Sequence, residues 1–328
     1  MVTINDIAKE AGVAKSTVSR YLNNGSVSTK TQKKIDEIVK KRGYKPNTFA
    51  RSLKAQKTNM VGVIIPRLDS PSTNEVLSGI DAKAHEMGYQ LIITNANQDN
   101  QREIDYIYSL AKQKVDGIIL LAKEITLEHR KAITDVKLPF LVIGQNVEGI
   151  PTIVHDDFDA GSQVAKHALK LGHENILYFT VSKEDKAVGQ DRLQGFIEET
   201  DKNKQVKVKV IETSFIMREA YETALLHLEK NKNITFIVGA TDSIAIAIIK
   251  AAHALDVKVP EKASVAGYGG YDLLSFVTPA LTTVKYKYIE SGTLALETLN
   301  KMILKEAILD QLQLSNQLII RETTKKIK

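Results

Sequence analysis

Five side chains between residues 15 and 20 (Lys15, Ser16, Thr17, Ser19 and Arg20) put hydrogen-bond donors on the outward side of a short stretch with helical spacing. Such a face can read base edges and grip backbone phosphates. Its inward side is Val18 with Tyr21 or Leu22, and the helix runs from about Ala14 to Leu22. Before it, Ile4, Ile7, Ala8 and Ala11 recur at helical spacing, Thr3 is the N-cap, and Asp6 three residues on closes a capping box. Gly12 stops that helix. Two short helices joined at a glycine, the second with a polar outer face, form a helix-turn-helix pattern. An ordinary amphipathic hairpin has the same spacing, and charge separates the two readings. Residues 1 to 60 hold thirteen Lys or Arg and four Asp or Glu, a net of +9, whereas the rest of the chain nets −3. The basic excess sits beside the hairpin, as phosphate binding requires.

Other reactive residue types show no reactive pattern. The seven histidines (85, 129, 155, 167, 173, 227 and 253) lack metal-ligand spacing, and cysteine is absent. His155-Asp156-Asp157 could suggest an acid/base or metal cluster but falls between the two series of alternating strands and helices. Gly267-Tyr268-Gly269-Gly270 lacks the third glycine spacing and the following helix of a dinucleotide fingerprint. Catalysis and a cofactor are therefore not expected.

A third helix follows the hairpin, with Ser28 as N-cap, a buried stripe of Ile35, Ile38 and Val39, and an end at Gly43. Pro46 breaks the chain there, and 48–55 (TFARSLKA) makes two turns that order only when packed against something. From Met60 onward short β-branched runs alternate with amphipathic helices. Strands are expected near 61–65, 90–94, 116–121, 140–144, 175–180, 206–211, 234–238 and 263–267, with a last one near 314–320. Helices are expected near 74–87, 100–113, 126–135, 158–171, 189–200, 216–230 and 242–255. Strict alternation means α/β architecture with parallel sheets, and the count suffices for two lobes with a ligand cleft at the strands' carboxyl ends. The length of 328 residues, 43% of them hydrophobic, fits several globular units. No apolar run reaches the ~18 residues a membrane span needs, and the N-terminus has no signal-peptide zones, so a cytoplasmic location is expected.

The runs GVAKSTVSRYLN, VSTKTQKKI and GYKPNTFARSLKAQKTNMVGVIIP, with the alternation behind them, resemble the LacI/GalR family of bacterial transcriptional regulators over essentially the whole chain. The resemblance implies a three-helix headpiece at 1–46, a hinge helix and linker at 47–57, and a bilobal periplasmic-binding-protein-like core of two Rossmann-like lobes at 58–328. Lobe one then comprises about 58–156 and 287–312, and lobe two 157–286 and 313–328. It implies that Lys15, Ser16 and Arg20 meet base edges, that Thr3, Thr17, Ser19 and Asn23 also belong to the DNA-binding set, and that Ser28, Thr31, Tyr44 and Asn47 hold phosphates. Ala50, Leu53 and Lys54 belong to a hinge that pairs with its dimer mate in the minor groove, Leu53 wedging between base steps.

In the cleft, a sugar needs planar donors and acceptors for its hydroxyls and an aromatic face for its C–H side. Arg192 in QDRLQGF matches the family's effector-holding arginine, and Asp242 in GATDSIAIA opens a helix behind a strand. Tyr268 ends the strand ASVAGY. Ser72, Gln145 and Phe215 occupy further family pocket positions. Where many members carry two carboxylates, this chain reads Gly267-Tyr268-Gly269-Gly270-Tyr271, which removes an acidic clamp and makes the cleft less acidic. GYGGYDLLSFVTPALTTV is similar to the sucrose-operon repressor subgroup, which implies sucrose, fructose or a phosphorylated relative as effector. The implied switch is a homodimer on a palindromic operator, released when the sugar binds. Two alternatives are a corepressor-type regulator tightened by a ligand or a phosphorylated carrier protein, and a sugar-binding transport receptor.

Overall fold

The computed structural model describes residues 2–22, 25–44 and 57–327. The chain divides into two compact units, 1–59 and 60–328.

The first unit holds α1 (Ile4–Ala11), α2 (Lys15–Leu22) and α3 (Thr29–Arg42). The capping box is formed: Thr3 Oγ1 accepts from the Asp6 N–H, and Asp6 Oδ2 accepts from the Thr3 N–H at 2.8 Å. Gly12 turns the chain out of α1 at φ 63°, in the left-handed region where a Cβ is costly. Ile7, Ala8, Ala11, Val18, Ile35 and Ile38 form the small core, with Ile4, Val39, Tyr21 and Leu22 half-buried around it. A core this small leans on polar ties. The Tyr21 hydroxyl donates to Asp36 between α2 and α3, and Arg42 Nε donates to Glu10 at 2.8 Å between α3 and α1.

The second unit contains two six-stranded sheets. The first orders its strands β11-β5-β4-β3-β1-β2, all parallel, from β1 (Met60–Ile65), β2 (Gln90–Asn95), β3 (Gly117–Leu121), β4 (Phe140–Ile143), β5 (Thr152–His155) and β11 (Gln311–Leu314). The second orders β12-β10-β9-β8-β6-β7, from β6 (Asn175–Thr180), β7 (Lys207–Glu212), β8 (Phe236–Gly239), β9 (Ser264–Gly269), β10 (Thr282–Lys285) and β12 (Gln317–Ile319). Only β12 runs antiparallel, against β10. We call the two sheets with their helices lobe one and lobe two. Lobe one carries α4 (Pro71–Met87), α5 (Asn100–Lys112), α6 (Leu127–Val136) and α11 (Tyr288–Ile303), and lobe two α7 (Asp157–Lys170), α8 (Arg192–Thr200), α9 (Met217–Lys230) and α10 (Asp242–Ala254). In β1, Val61, Val63 and Ile65 face one side of the sheet and Ile64 the other, and both sides are buried. That is why the run reads as continuously apolar.

Three strands escape the sequence pattern: β5, β10 and β11, each four residues long. The runs Thr-Ile-Val-His at β5 and Gln-Leu-Gln-Leu at β11 carry little apolar signal because each finishes a sheet near its edge. The single strand expected near 314–320 is two strands in different sheets. β11 pairs with β5, so the last passage between lobes falls at Ser315-Asn316 rather than near 312. Gln163 fastens it there, accepting from the Leu318 N–H at 2.8 Å, while Asn316 Nδ2 donates to the Asp156 carbonyl at 2.7 Å. The helix expected over 189–200 is a π-helical turn, Lys186–Asp191, that runs into α8.

Candidate functional site

A cavity of about 200 Å³ opens between the lobes, at the carboxyl ends of both parallel sheets. Arg192, the first residue of α8, forms its floor and is 4% exposed. Its placement begins with two glycines. A Cβ at Gly161 of α7 would collide with the Arg192 carbonyl, and one at Gly195 of α8 with that of Phe158, so only glycine lets the two helices approach this closely. That approach sets Asp157, at the start of α7, against the guanidinium. Nε and Nη2 donate to Asp157 Oδ1 at 3.0 and 2.5 Å, and Nη1 donates to the Ala240 carbonyl. The guanidinium carbon lies 4.8 Å from the Tyr268 ring centroid and 5.0 Å from that of Tyr286. A buried cation thus gains a carboxylate and two aromatic faces in place of water.

Aromatic rings continue from this centre. Tyr286 stacks on Tyr288 at 5.3 Å, Tyr288 on Tyr271 at 6.2 Å, and His155 meets Tyr286 and Tyr288 edge-on. Burial pushes the Tyr271 hydroxyl up to about 12 and lowers the His155 imidazole, so the wall stays neutral. Neutral rings with hydroxyl edges suit the C–H faces and hydroxyls of a polyol.

The six residues expected at the cleft divide five to one. Arg192, Tyr268, Ser72, Gln145 and Phe215 line it, and Asp242 does not. Asp242 is fully buried behind the wall, where Oδ2 accepts from the Gly270 N–H at 2.7 Å and Oδ1 from the Thr283 hydroxyl at 2.5 Å. It braces the Gly269-Gly270 turn, both residues at positive φ, while Thr241 caps α10. Burial pushes its carboxyl up to about 6. The expectation of a less acidic cleft also needs correcting. Residues 267–271 contribute no carboxylate, but Asp157 and Asp185 line the lobe-two side from α7 and the π-helical turn. Burial raises Asp185 above the usual carboxylate range. Asp157, Asp185, Tyr286, Tyr288 and Lys123 were missed in the sequence; Asp157 and Tyr286 meet across 129 positions, and only the fold brings the five to one cleft. The Asp-Asp pair after His155 was the one available signal for Asp157.

In the headpiece, Ser16 and Arg20 lie one turn apart on α2, roughly 160° around the axis from buried Val18. Lys15, Ser16 and Arg20 are exposed, and Thr17 and Ser19 half-buried. Thr3 is exposed but its hydroxyl serves the capping box. Ser28 caps α3, accepting from the Thr31 N–H, and Thr31 and Tyr44 are half-buried. Asn23, Asn47, Ala50, Leu53 and Lys54 lie outside the described residues. Among the described residues, no group of His, Asp or Glu is arranged to hold a metal, and no helix is long and apolar enough to cross a membrane.

Residues 3–47 match the family described as bacterial regulatory proteins, lacI family, and residues 58–320 match the periplasmic binding proteins and sugar binding domain of LacI family. The chain is 39% identical over 308 residues to the sucrose operon repressor of Staphylococcus xylosus, covering 94% of this chain and 96% of that protein. It is 33% identical over 300 residues to the transcriptional regulator DegA of Bacillus subtilis, covering 88% of each. The structure of the lac repressor dimer bound to operator and the anti-inducer ONPF superposes with a TM-score of 0.91 over 99% of both chains at 23% identity, a likeness of fold. With a helix-turn-helix headpiece and a two-lobed α/β core both matched, the chain belongs to the LacI family of DNA-binding transcriptional regulators.

Proposed function

We propose that this regulator represses genes for uptake and breakdown of a sucrose-type sugar and leaves its operator when the sugar or its phosphate enters the interlobe cleft. The observation that carries the reading is Arg192, a guanidinium at the cleft floor already oriented by Asp157 and flanked by tyrosine rings. Such a centre offers fixed polar groups and aromatic faces without an ordering cost at binding. The Staphylococcus xylosus relative, a sucrose operon repressor by name, favours sucrose as the sugar.

In this reading the division of labour is a headpiece at 1–46, a hinge at 47–57 and a core at 58–328. Lys15, Ser16, Thr17, Ser19, Arg20 and Asn23 face the major groove, with Thr3, Ser28, Thr31, Tyr44 and Asn47 on phosphates. Ala50, Leu53 and Lys54 enter the minor groove. A homodimer holds two headpieces on a palindromic operator in the cytoplasm. Arg192, Tyr268, Ser72, Gln145 and Phe215 contact the sugar, and Asp242 acts on it indirectly by holding the Gly269-Gly270 turn. Sugar bound between the lobes alters their relative position and unfolds the hinge. Retention of palindromic promoter fragments in a gel, with and without sucrose, tests this. The reading expects retention that sucrose abolishes. Tighter retention on adding sucrose points to the corepressor alternative, and no retention of any promoter fragment at low salt points to the transport receptor.

A further inference from the structure

The two walls of the cleft differ in charge. Among the residues lining it from lobe one, none is Asp or Glu, and the charged ones are Arg67 and Lys123. Both carboxylates, Asp157 and Asp185, stand on lobe two, where Asp157 is already paired with Arg192. The N-terminus of α4 opens into the lobe-one side through Ser70, Ser72 and Thr73. Its first turn has spare donors. Pro71 has no N–H, the Thr73 N–H bonds Ser70 Oγ and the Asn74 N–H bonds the Ser70 carbonyl, which leaves the Ser72 N–H for a ligand, while the Ser70 and Ser72 hydroxyls bond each other at 2.9 Å.

An independent feature points the same way. Gln145 is 5% exposed, lines this wall, and its amide makes no hydrogen bond among the described residues. Its amide atoms are not sealed from the cleft, so an unpaired donor and acceptor face whatever enters it. Lys123 likewise makes no hydrogen bond among the described residues. Arg67 is 15% exposed, its ring contact is Phe215 of lobe two at 5.0 Å, and its acidic neighbour Asp69 is 3.6 Å away and largely in solvent.

We propose that the cleft is built for a phosphorylated sugar, with the phosphate on the lobe-one wall among Arg67, Lys123, Gln145 and the first turn of α4, and the sugar ring against the tyrosines of lobe two. The proposal rests on the reading of the cleft as the sugar site and commits it to one ligand charge. The phosphate bridges cations of lobe one while the ring engages Arg192 and Tyr268 of lobe two, so one ligand spans both lobes.

The test is calorimetric titration of the full-length protein with sucrose, sucrose 6-phosphate, fructose, fructose 6-phosphate and inorganic phosphate. The wild type and Lys123→Met are compared, with operator retention as the check of folding. The proposal expects each sugar phosphate to bind at least about tenfold tighter than its parent sugar and than inorganic phosphate. It expects Lys123→Met to weaken the phosphates at least about fivefold more than the parents. Sucrose or fructose binding as tightly as its phosphate overturns the proposal and leaves the sugar site standing. Equal weakening of both forms by Lys123→Met, or inorganic phosphate as tight as the sugar phosphates, overturns it too. Failure of every sugar, phosphorylated or not, overturns both the proposal and the reading beneath it.

Discussion

Arg192 and Asp157 meet through a single carboxylate oxygen. Nε and Nη2 of Arg192 donate to Asp157 Oδ1 at 3.0 and 2.5 Å, and the Tyr286 hydroxyl donates to the same atom at 2.8 Å. Oδ2 accepts no hydrogen bond among the described residues and belongs to a residue at the cleft surface. One oxygen of the carboxylate is structural and the other is left without a hydrogen bond at the cleft. The pair therefore joins the stability of lobe two to the chemistry of the cleft.

That double role makes two substitutions of Arg192 differ. Arg192→Ala leaves the Asp157 carboxylate buried beside an empty space, and breaking such a pair costs roughly 3–5 kcal/mol. Arg192→Lys keeps the charge but not the planar fork that two donors and two rings require. Urea unfolding should show a large loss for Arg192→Ala and a smaller one for Arg192→Lys. Operator binding by Arg192→Lys should persist while its response to sugar falls at least about tenfold, as loss of a bidentate contact implies. An unaltered sugar response in Arg192→Lys would remove this residue from the effector site.

Asp242 carries a pH signature. Its folded carboxyl titrates at about 6 against 3.8 for the ordinary group, so between those values the folded state binds more protons than the unfolded. Stability from this group is present at low pH and is lost as pH rises through about 6, by roughly 3 kcal/mol in all. Asp242→Asn can still accept from the Gly270 N–H and donate to the Thr283 hydroxyl, and it does not titrate. Urea unfolding at pH 4.5, 5.5 and 6.5 should show wild type losing stability relative to the variant across the series. A constant difference between the two would mean the carboxyl is ionised throughout.

On the DNA side, Arg20 and Lys15 should separate by what they read. Arg20→Ala is expected to cost about 1–3 kcal/mol on the cognate operator and far less on random duplex, as for a base contact. A Lys that serves only a phosphate weakens both alike and lowers the salt slope by about one. Anisotropy titrations of Lys15→Ala and Arg20→Ala on the two duplexes at several salt concentrations assign each role. Equal losses for Arg20→Ala on both duplexes would count against base reading.

Leu53 lies outside the described residues, and its proposed wedge in the minor groove rests on the run TFARSLKA. Leu53→Ala should weaken specific operator binding more than binding to random DNA, because it removes the wedge and spares phosphate contacts. Matching losses on the two DNAs, measured by anisotropy, would rule the wedge out.

Local chemistry was readable before the structure and long-range pairing was not. Thr3, Asp6, Gly12, Ser28 and Gly43 announce the headpiece helices because a cap or a left-handed turn needs a particular residue within a few positions. The β1, β3 and β6 runs announce the parallel sheets because both faces of each strand are buried. β5, β10 and β11 gave no such signal, because TIVH, TTVK and QLQL mix polar residues into strands at or next to a sheet edge, whereas the equally short β4 and β8 are continuously apolar or nearly so. Long-range pairing hid the site. Asp157 joins Tyr286 across 129 positions. Asp242 and Tyr268 both stand where a strand meets the cleft end, yet Asp242 turns back to Gly270 and Thr283 because those groups leave it a satisfied buried pocket. Spacing locates a residue on an element, and only the packed neighbours decide which way a carboxylate is used.

The central claim is that occupation of the interlobe cleft weakens operator binding. The direct measurement is fluorescence anisotropy of a labelled palindromic operator titrated with full-length protein, first alone and then with saturating sucrose or sucrose 6-phosphate. A useful switch needs a coupling of about 1–3 kcal/mol, so operator affinity should fall roughly five- to 150-fold, and operator should weaken sugar binding by the same factor. Operator affinity that stays constant or rises while calorimetry shows the cleft occupied contradicts the account.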